Sequence, residues 1–233
     1  MAELGGSFIE ALRLLTSFDA ELWRIVALSL FVSLSATTIA LLLGLPVAAL
    51  LTMVRFPGRA GIIIVSNGLL GLPPVMAGLI VYLLFSRAGP FGSIDLLFTP
   101  MVMVIAQVFL ATPIVIALSH RILLIYWARY GDALRMTGAS LMRSASTLIA
   151  MTRNALVTVF FSAFGRCIAE VGAIMLVGGN IRGYTRTMTT AIVLETSKGE
   201  FALALGLGFV LLTLTVGLSA TAFWLGRRTV ETG

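Results

Sequence analysis

Long apolar runs separated by short charged stretches dominate this chain. Four blocks hold no Asp, Glu, Lys, Arg or His: Ile25–Val54 with 30 residues, Ala60–Ser86 with 27, Leu96–Ser119 with 24 and Phe201–Gly226 with 26. A fifth, Asn154–Ile181, is interrupted only by Arg166 and Glu170. A helix needs roughly 20 apolar residues to cross a bilayer. The pattern therefore predicts an all-α membrane protein with five transmembrane helices and little chain left for a soluble domain. Ahead of the first block, Phe8-Ile9, Ala11-Leu12, Leu14-Leu15 and Phe18 recur at helical spacing around Glu10, Arg13 and Asp19. Residues 1–23 thus read as an amphipathic helix lying on the outer membrane face, with Trp23 at interfacial depth.

The spans are not uniformly apolar. The first contains Gly44-Leu45-Pro46 and is expected to tilt or kink. Arg55-Phe56-Pro57-Gly58-Arg59 reads as a tight inner turn. The second contains Leu72-Pro73-Pro74-Val75 and Gly78, and adjacent prolines free carbonyls that lipid cannot satisfy. Pro73 and Pro74 therefore mark either a packing kink or a broken helix lining a pathway. Gln107 and Thr112-Pro113 make the third span polar and kinked as well. The fourth span is expected from Asn154 to about Val177. Residues 178–200 are too polar for a span and too apolar for a plain loop.

Composition adds the environment. At 59% hydrophobic and 11% charged the chain lies far from soluble averages, in which about a quarter of residues are charged. The net charge of +6 follows from membrane topology, since basic residues collect on cytoplasmic loops, and no nucleic-acid partner is expected. With the N-terminus outside and the C-terminus inside, nine Arg face inward, among them Arg55, Arg59, Arg121, Arg129, Arg135, Arg143, Arg153, Arg227 and Arg228. Six Arg or Lys face outward, together with seven of the ten acids. Cys167 is the only cysteine and His120 the only histidine, so no metal site is expected. His120 reads as a solvated or headgroup-facing residue at a helix end. The N-terminus has no basic region ahead of a short apolar run, unlike a cleaved signal.

Within the fourth span, Arg166 and Glu170 stand four residues apart and share a helix face. They read either as a structural ion pair or as a site where Arg166 helps an anion across the midplane. The segment Gly178–Thr190 offers glycines at 178, 179 and 183, neutral donors at Asn180, Thr185, Thr187, Thr189 and Thr190, and charge at Arg182 and Arg186. It reads either as a pathway lined with donors weak enough to release an anion or as an outer loop at the headgroups.

The inner segment Arg129–Arg153 is the one long amphipathic, basic interruption. Gly131 and Gly138 bracket a helical turn whose Ala133 and Leu134 suit a partner's groove. Asp132 is expected to cap the turn's start, with Arg135 and Arg143 at the rim. Asp132-Ala133-Leu134 with Gly138 resembles the coupling loop of ABC importer permeases, E-A-A-x3-G-x9-I-x-L-P. Leu148 stands for the Ile, while Ala150 and Met151 replace the final Leu-Pro. Leu72-Pro73-Pro74-Val75, Glu170-Val171-Gly172-Ala173, Gly179-Asn180-Ile181, Gly183, Thr185 and Thr187 resemble the oxyanion-importing members. The wording through Thr196 is most similar to the tungstate permeases.

The resemblance implies a type I ABC importer permease architecture over residues 24–228, with the coupling loop at 125–153, in a bacterial or archaeal cytoplasmic (inner) membrane. It implies a homodimer bound to two cytoplasmic ATPase subunits, which hold ATP and Mg, and fed by an extracytoplasmic oxyanion-binding protein. The chain itself carries no G-x-x-x-x-G-K-S/T phosphate loop, so no cofactor and no catalytic residue is expected in it. Asp132, Ala133, Leu134, Arg135 and Gly138 become the ATPase-coupling residues. Pro73, Pro74, Arg166, Glu170, Gly179, Asn180, Thr185 and Thr187 become the pathway residues. Tungstate is the expected cargo, with molybdate or sulfate as alternatives. A secondary transporter or channel needs coupling-ion ligands, and Glu170 is the only intramembrane acid available.

Overall fold

The computed structural model describes the backbone of residues 2–230 and the side chains of residues 6–222 and 224. Every regular element in it is helical. The α-helices are α1 (Ala2–Thr16), α2 (Ala20–Met53), α3 (Arg59–Gly68), α4 (Pro74–Phe85), α5 (Pro100–Met136), α6 (Leu141–Met151), α7 (Arg153–Ile168), α8 (Gly172–Gly178), α9 (Met188–Lys198) and α10 (Phe201–Val230). α2, α5 and α10 are each long and apolar enough to span a membrane alone, and α3 with α4 and α6 with α7 form two bent pairs. The side chains of Arg227 and Arg228, assigned above to the inner face, lie outside the described residues.

The chain divides into two compact units. One comprises Met1–Ala36, Pro73–Gln107 and Gly165–Gly217; the other comprises Thr37–Leu72, Val108–Phe164 and Leu218–Gly233. In the first, Asp19 starts α2 by accepting the Leu22 N–H at 2.9 Å, as capping carboxylates do. α1 packs Phe8 edge-on against Phe209 of α10, ring centroids 5.4 Å apart, and buries Ala11. α4 crosses α8 at contact distance. A Cβ added at Gly78 would lie 2.6 Å from the Ala173 Cα, and one at Gly178 would lie 2.9 Å from the Met103 sulfur. The backbones approach because neither glycine has a side chain.

The second unit is built around Ala48, Ala49, Met53, Leu123 and Leu148, flanked by Tyr126, Trp127 and Ile149. Gly44 lets α2 approach Val115 of α5, whose Cγ1 would stand 2.7 Å from an added Cβ. The turn between α2 and α3 closes at Gly58, with φ of 89°, and the Arg59 Nε donates to the Leu51 carbonyl. Thr152 ends α6 by donating its hydroxyl to the Leu148 carbonyl at 2.9 Å, and α7 leaves at 77°.

Three expectations change. α5 runs unbroken for 37 residues, so His120 is buried inside a helix and not solvated at its end. The fourth span, expected from Asn154 to about Val177, is two helices, interrupted between Ile168 and Gly172. The ambiguous 178–200 stretch is a turn followed by α9, whose residues Met188–Ala191 are buried.

The close crossing gives a paired prediction. Gly78→Ala overpacks the α4–α8 contact and should cost about 1–3 kcal/mol. Gly61→Ala, in α3 with nothing within 4 Å, should be neutral or stabilising by about 0.5–1 kcal/mol. Thermal unfolding in mild detergent reads both, and equal stability for the two variants would contradict the crossing.

Candidate functional site

A helix that stops leaves N–H and C=O groups without partners, and in lipid each must be satisfied within the protein. At the α7–α8 break the sequence supplies those partners one by one. Gln107 Nε2 donates to the Cys167 carbonyl at 2.8 Å. The Thr189 hydroxyl donates to the Glu170 carbonyl at 2.7 Å. Glu170 Oε1 accepts the Ala173 N–H at 3.2 Å, opening α8. Its other oxygen takes Arg166 Nη1 at 3.1 Å, pairing a carboxylate 4% exposed with a guanidinium 39% exposed.

The far end of α8 is treated likewise. The Phe98 N–H donates to the Val177 carbonyl at 2.8 Å, and the Thr185 hydroxyl donates to the Gly178 carbonyl while accepting the Ile181 N–H at 2.9 Å. Gly179, Asn180 and Gly183 adopt positive φ and turn the chain back. Asn180 Nδ2 reaches the Thr190 carbonyl at 3.3 Å. Thr187 opens α9, its N–H bonded to Thr190 Oγ1 at 3.0 Å, and Ser29 Oγ accepts the Met188 N–H at 2.7 Å.

Pro73 and Pro74 begin α4, where a missing N–H costs nothing. The Pro73 carbonyl accepts the Met76 and Ala77 N–H groups at 3.0 and 3.3 Å. Val75 then lies against Gly172, which joins the proline turn to the Glu170 break. All eight expected pathway residues thus fall in one unit, along the broken helices. The Thr185 hydroxyl and the Asn180 Nδ2 are engaged with backbone groups, and the Thr187 hydroxyl with those of Thr189 and Thr190.

The turn between α8 and α9 carries an ion cluster that sequence reasoning only half found. Arg182 holds Glu21 through two nitrogens, Nε donating to Oε1 at 2.7 Å and Nη2 to Oε2. Arg186 is buried and pairs with Glu195 at 3.2 Å; Lys198 pairs with the same carboxylate. Glu21 and Glu195 escaped notice because their partners are 161 and 9 residues away, and only the Lys198 contact is at helical spacing.

In the second unit, Asp132, Ala133, Leu134 and Arg135 form the last turn of α5 and do not start a helix of their own. Asp132 therefore caps nothing. A carboxylate near a helix C-terminus opposes the dipole, and Arg135 offsets it from 3.3 Å while lying over the Trp127 ring at 5.2 Å. Gly138, at φ 67°, ends the helix, its N–H donating to the Arg135 carbonyl at 3.0 Å. Ser140 caps α6 by accepting the Arg143 N–H at 3.3 Å. Around this turn Met136 and Met142 are 88% and 81% exposed. They form an apolar, adaptable surface that the motif comparison passed over.

No family model matches the chain. Individual proteins do. A probable anion ABC transporter permease protein of Haloferax volcanii is 36% identical over 84% of this chain and 87% of its own length. A tungstate uptake system permease protein of Peptoclostridium acidaminophilum is 34% identical over 96% of this chain and 98% of its own. Another of that name, from Campylobacter jejuni, is 43% identical over 64% and 63%.

The Arg166–Glu170 pair yields a double-mutant cycle. Arg166→Met leaves a buried carboxylate uncompensated and should destabilise more than Glu170→Gln, which keeps an acceptor for Ala173. The double variant should recover part of the loss, a coupling of about 1–2 kcal/mol by denaturation. Strict additivity would dismiss the pair as a structural contact.

Proposed function

Because this chain belongs to the permease proteins of ABC anion transporters, we propose that it is the membrane subunit of an ATP-driven importer whose cargo is tungstate. The observation carrying this reading is the near end-to-end likeness to a tungstate uptake permease. The subunit binds no nucleotide itself; partner ATPase chains on the cytoplasmic side hold ATP and Mg, and an external binding protein delivers the anion. The assembly is a homodimer in the inner membrane of a bacterium or archaeon.

Five spans serve this role: α2, α3 with α4, α5, α7 with α8, and α10. The arginine bias orients them N-out and C-in, with α1 on the outer face and the loop at 125–153 inside. The turn Asp132–Gly138, with exposed Met136 and Met142 beside it, docks in a groove of the ATPase as a helix end with apolar anchors. Closing of the ATPases on ATP displaces that turn. α5 is one continuous helix, so the displacement reaches the spans as rigid-body motion and alternates access. Pro73, Pro74, Arg166, Glu170, Gly179, Asn180, Thr185 and Thr187 form the wall of the anion's path. Their side chains hold that wall in shape and leave the anion weakly bound, as conduction requires. Tungstate and molybdate are both tetrahedral dianions of nearly equal size, so molybdate is expected to compete.

Reconstitution with the ATPase and binding protein in proteoliposomes tests this. Tungstate should accumulate only with ATP and stop with vanadate; accumulation without ATP would replace the reading with secondary transport. Gly138→Glu and Asp132→Arg should each leave ATP hydrolysis running while lowering uptake about tenfold or more, roughly 1.4 kcal/mol of lost coupling. Wild-type uptake in both variants would remove the turn from the coupling role.

A further inference from the structure

The start of α2 and the turn after α8 enclose a cavity of about 340 Å³, lined by Glu21, Arg24, Arg182, Gly183, Tyr184 and Arg186. Three guanidinium groups face it against one carboxylate. The carboxylates nearby are committed. Glu21 is clasped by Arg182, and Glu195, which backs Arg186, also receives Lys198 at 3.2 Å.

Two donors remain. Arg186 is only 9% exposed, yet its Nε–H has no acceptor. A buried donor left unpaired costs about 1–3 kcal/mol, a cost that an incoming oxygen removes. Arg24 makes no hydrogen bond or ion pair among the described residues. Its Nη1 would lie 3.6 Å from a Cβ at Gly183, at φ 75°; the bare glycine leaves the guanidinium room to swing over the turn. Tyr184, half-exposed at the rim, brings a phenol as a further donor.

Guanidinium forks match tetrahedral oxyanions by geometry as well as charge. We propose that this cavity is a reception site for a tetrahedral oxyanion dianion, with Arg24 and Arg186 as its principal donors. The carboxylate of Glu21 keeps binding weak, so that the ion is admitted and passed on. The role as a first stop in import rests on the function proposed above; the binding itself does not.

The purified full-length chain in lipid nanodiscs, without ATPase or binding protein, tests it by equilibrium dialysis with labelled tungstate. Binding should be saturable and displaced by molybdate. Arg24→Gln should weaken it about tenfold, Arg24→Lys by less than about threefold, and Glu21→Gln should tighten it several-fold by removing repulsion. Opposite signs at two neighbouring positions separate the site from general unfolding. Dissociation constants unchanged in Arg24→Gln and Glu21→Gln would overturn the proposal. So would Arg24→Gln abolishing stimulation of the complex by the binding protein with tungstate binding intact, because the cavity would then seat an acidic side chain of that protein. If the nanodisc result holds but the full complex imports no oxyanion, the transport reading falls and the site stands.

Discussion

Where a helix stops inside a bilayer, its freed backbone groups have no water to turn to, and each one left unsatisfied costs several kcal/mol. The rest of this structure follows from how the α7–α8 break meets that demand. Gln107, Glu170, Thr185 and Thr189 each bond a backbone group at an end of α7 or α8. The Phe98 amide supplies one more bond, to Val177. With those groups satisfied, α8 can be only seven residues long and still lie against α4. The crossing then needs bare backbone at Gly78. The break, the glycine contact and the buried start of α9 form one arrangement.

Much of this was legible in the sequence. Most of the apolar blocks at 25–54 and 96–119, and all of that at 201–226, reappear inside α2, α5 and α10, and the stripe at Phe8–Phe18 marks α1 through Thr16. The misses have physical causes. α5 was cut short because Arg121, Arg129 and Asp132 lower hydropathy, which reports transfer into lipid and not the ability to stay helical. Leu, Ala, Arg and Met in 121–136 are all good helix formers. The break after Ile168 contains no proline; its signal was Glu170 three residues ahead of the amide it caps. Thr189 looked like a donor for cargo because its backbone partner, the Glu170 carbonyl, is 19 residues away.

This division of labour bears on function. Side chains that satisfy backbone groups are not available to grip an anion, so the proposed path, walled by them, would release what enters it. In the proposed reading, charge recognition falls instead to Arg24 and Arg186, where carboxylates temper the attraction. The turn proposed for energy coupling is chemically different: a glycine-terminated helix, a paired Asp132 and Arg135, and exposed methionines suited to a protein groove. Relatives named for anion and tungstate transport span most of this chain, which fits one polypeptide carrying both ends.

Thr189→Val tests most directly whether the hydroxyls of the break hold the fold or the cargo. The substitution keeps shape and removes the bond to the Glu170 carbonyl together with the 3.4 Å contact to the Thr187 hydroxyl. Stability should fall by about 1–3 kcal/mol in denaturation, while the tungstate concentration for half-maximal uptake stays within about twofold of wild type. Unchanged stability with half-saturation raised about tenfold would contradict the account and return the threonines to the anion.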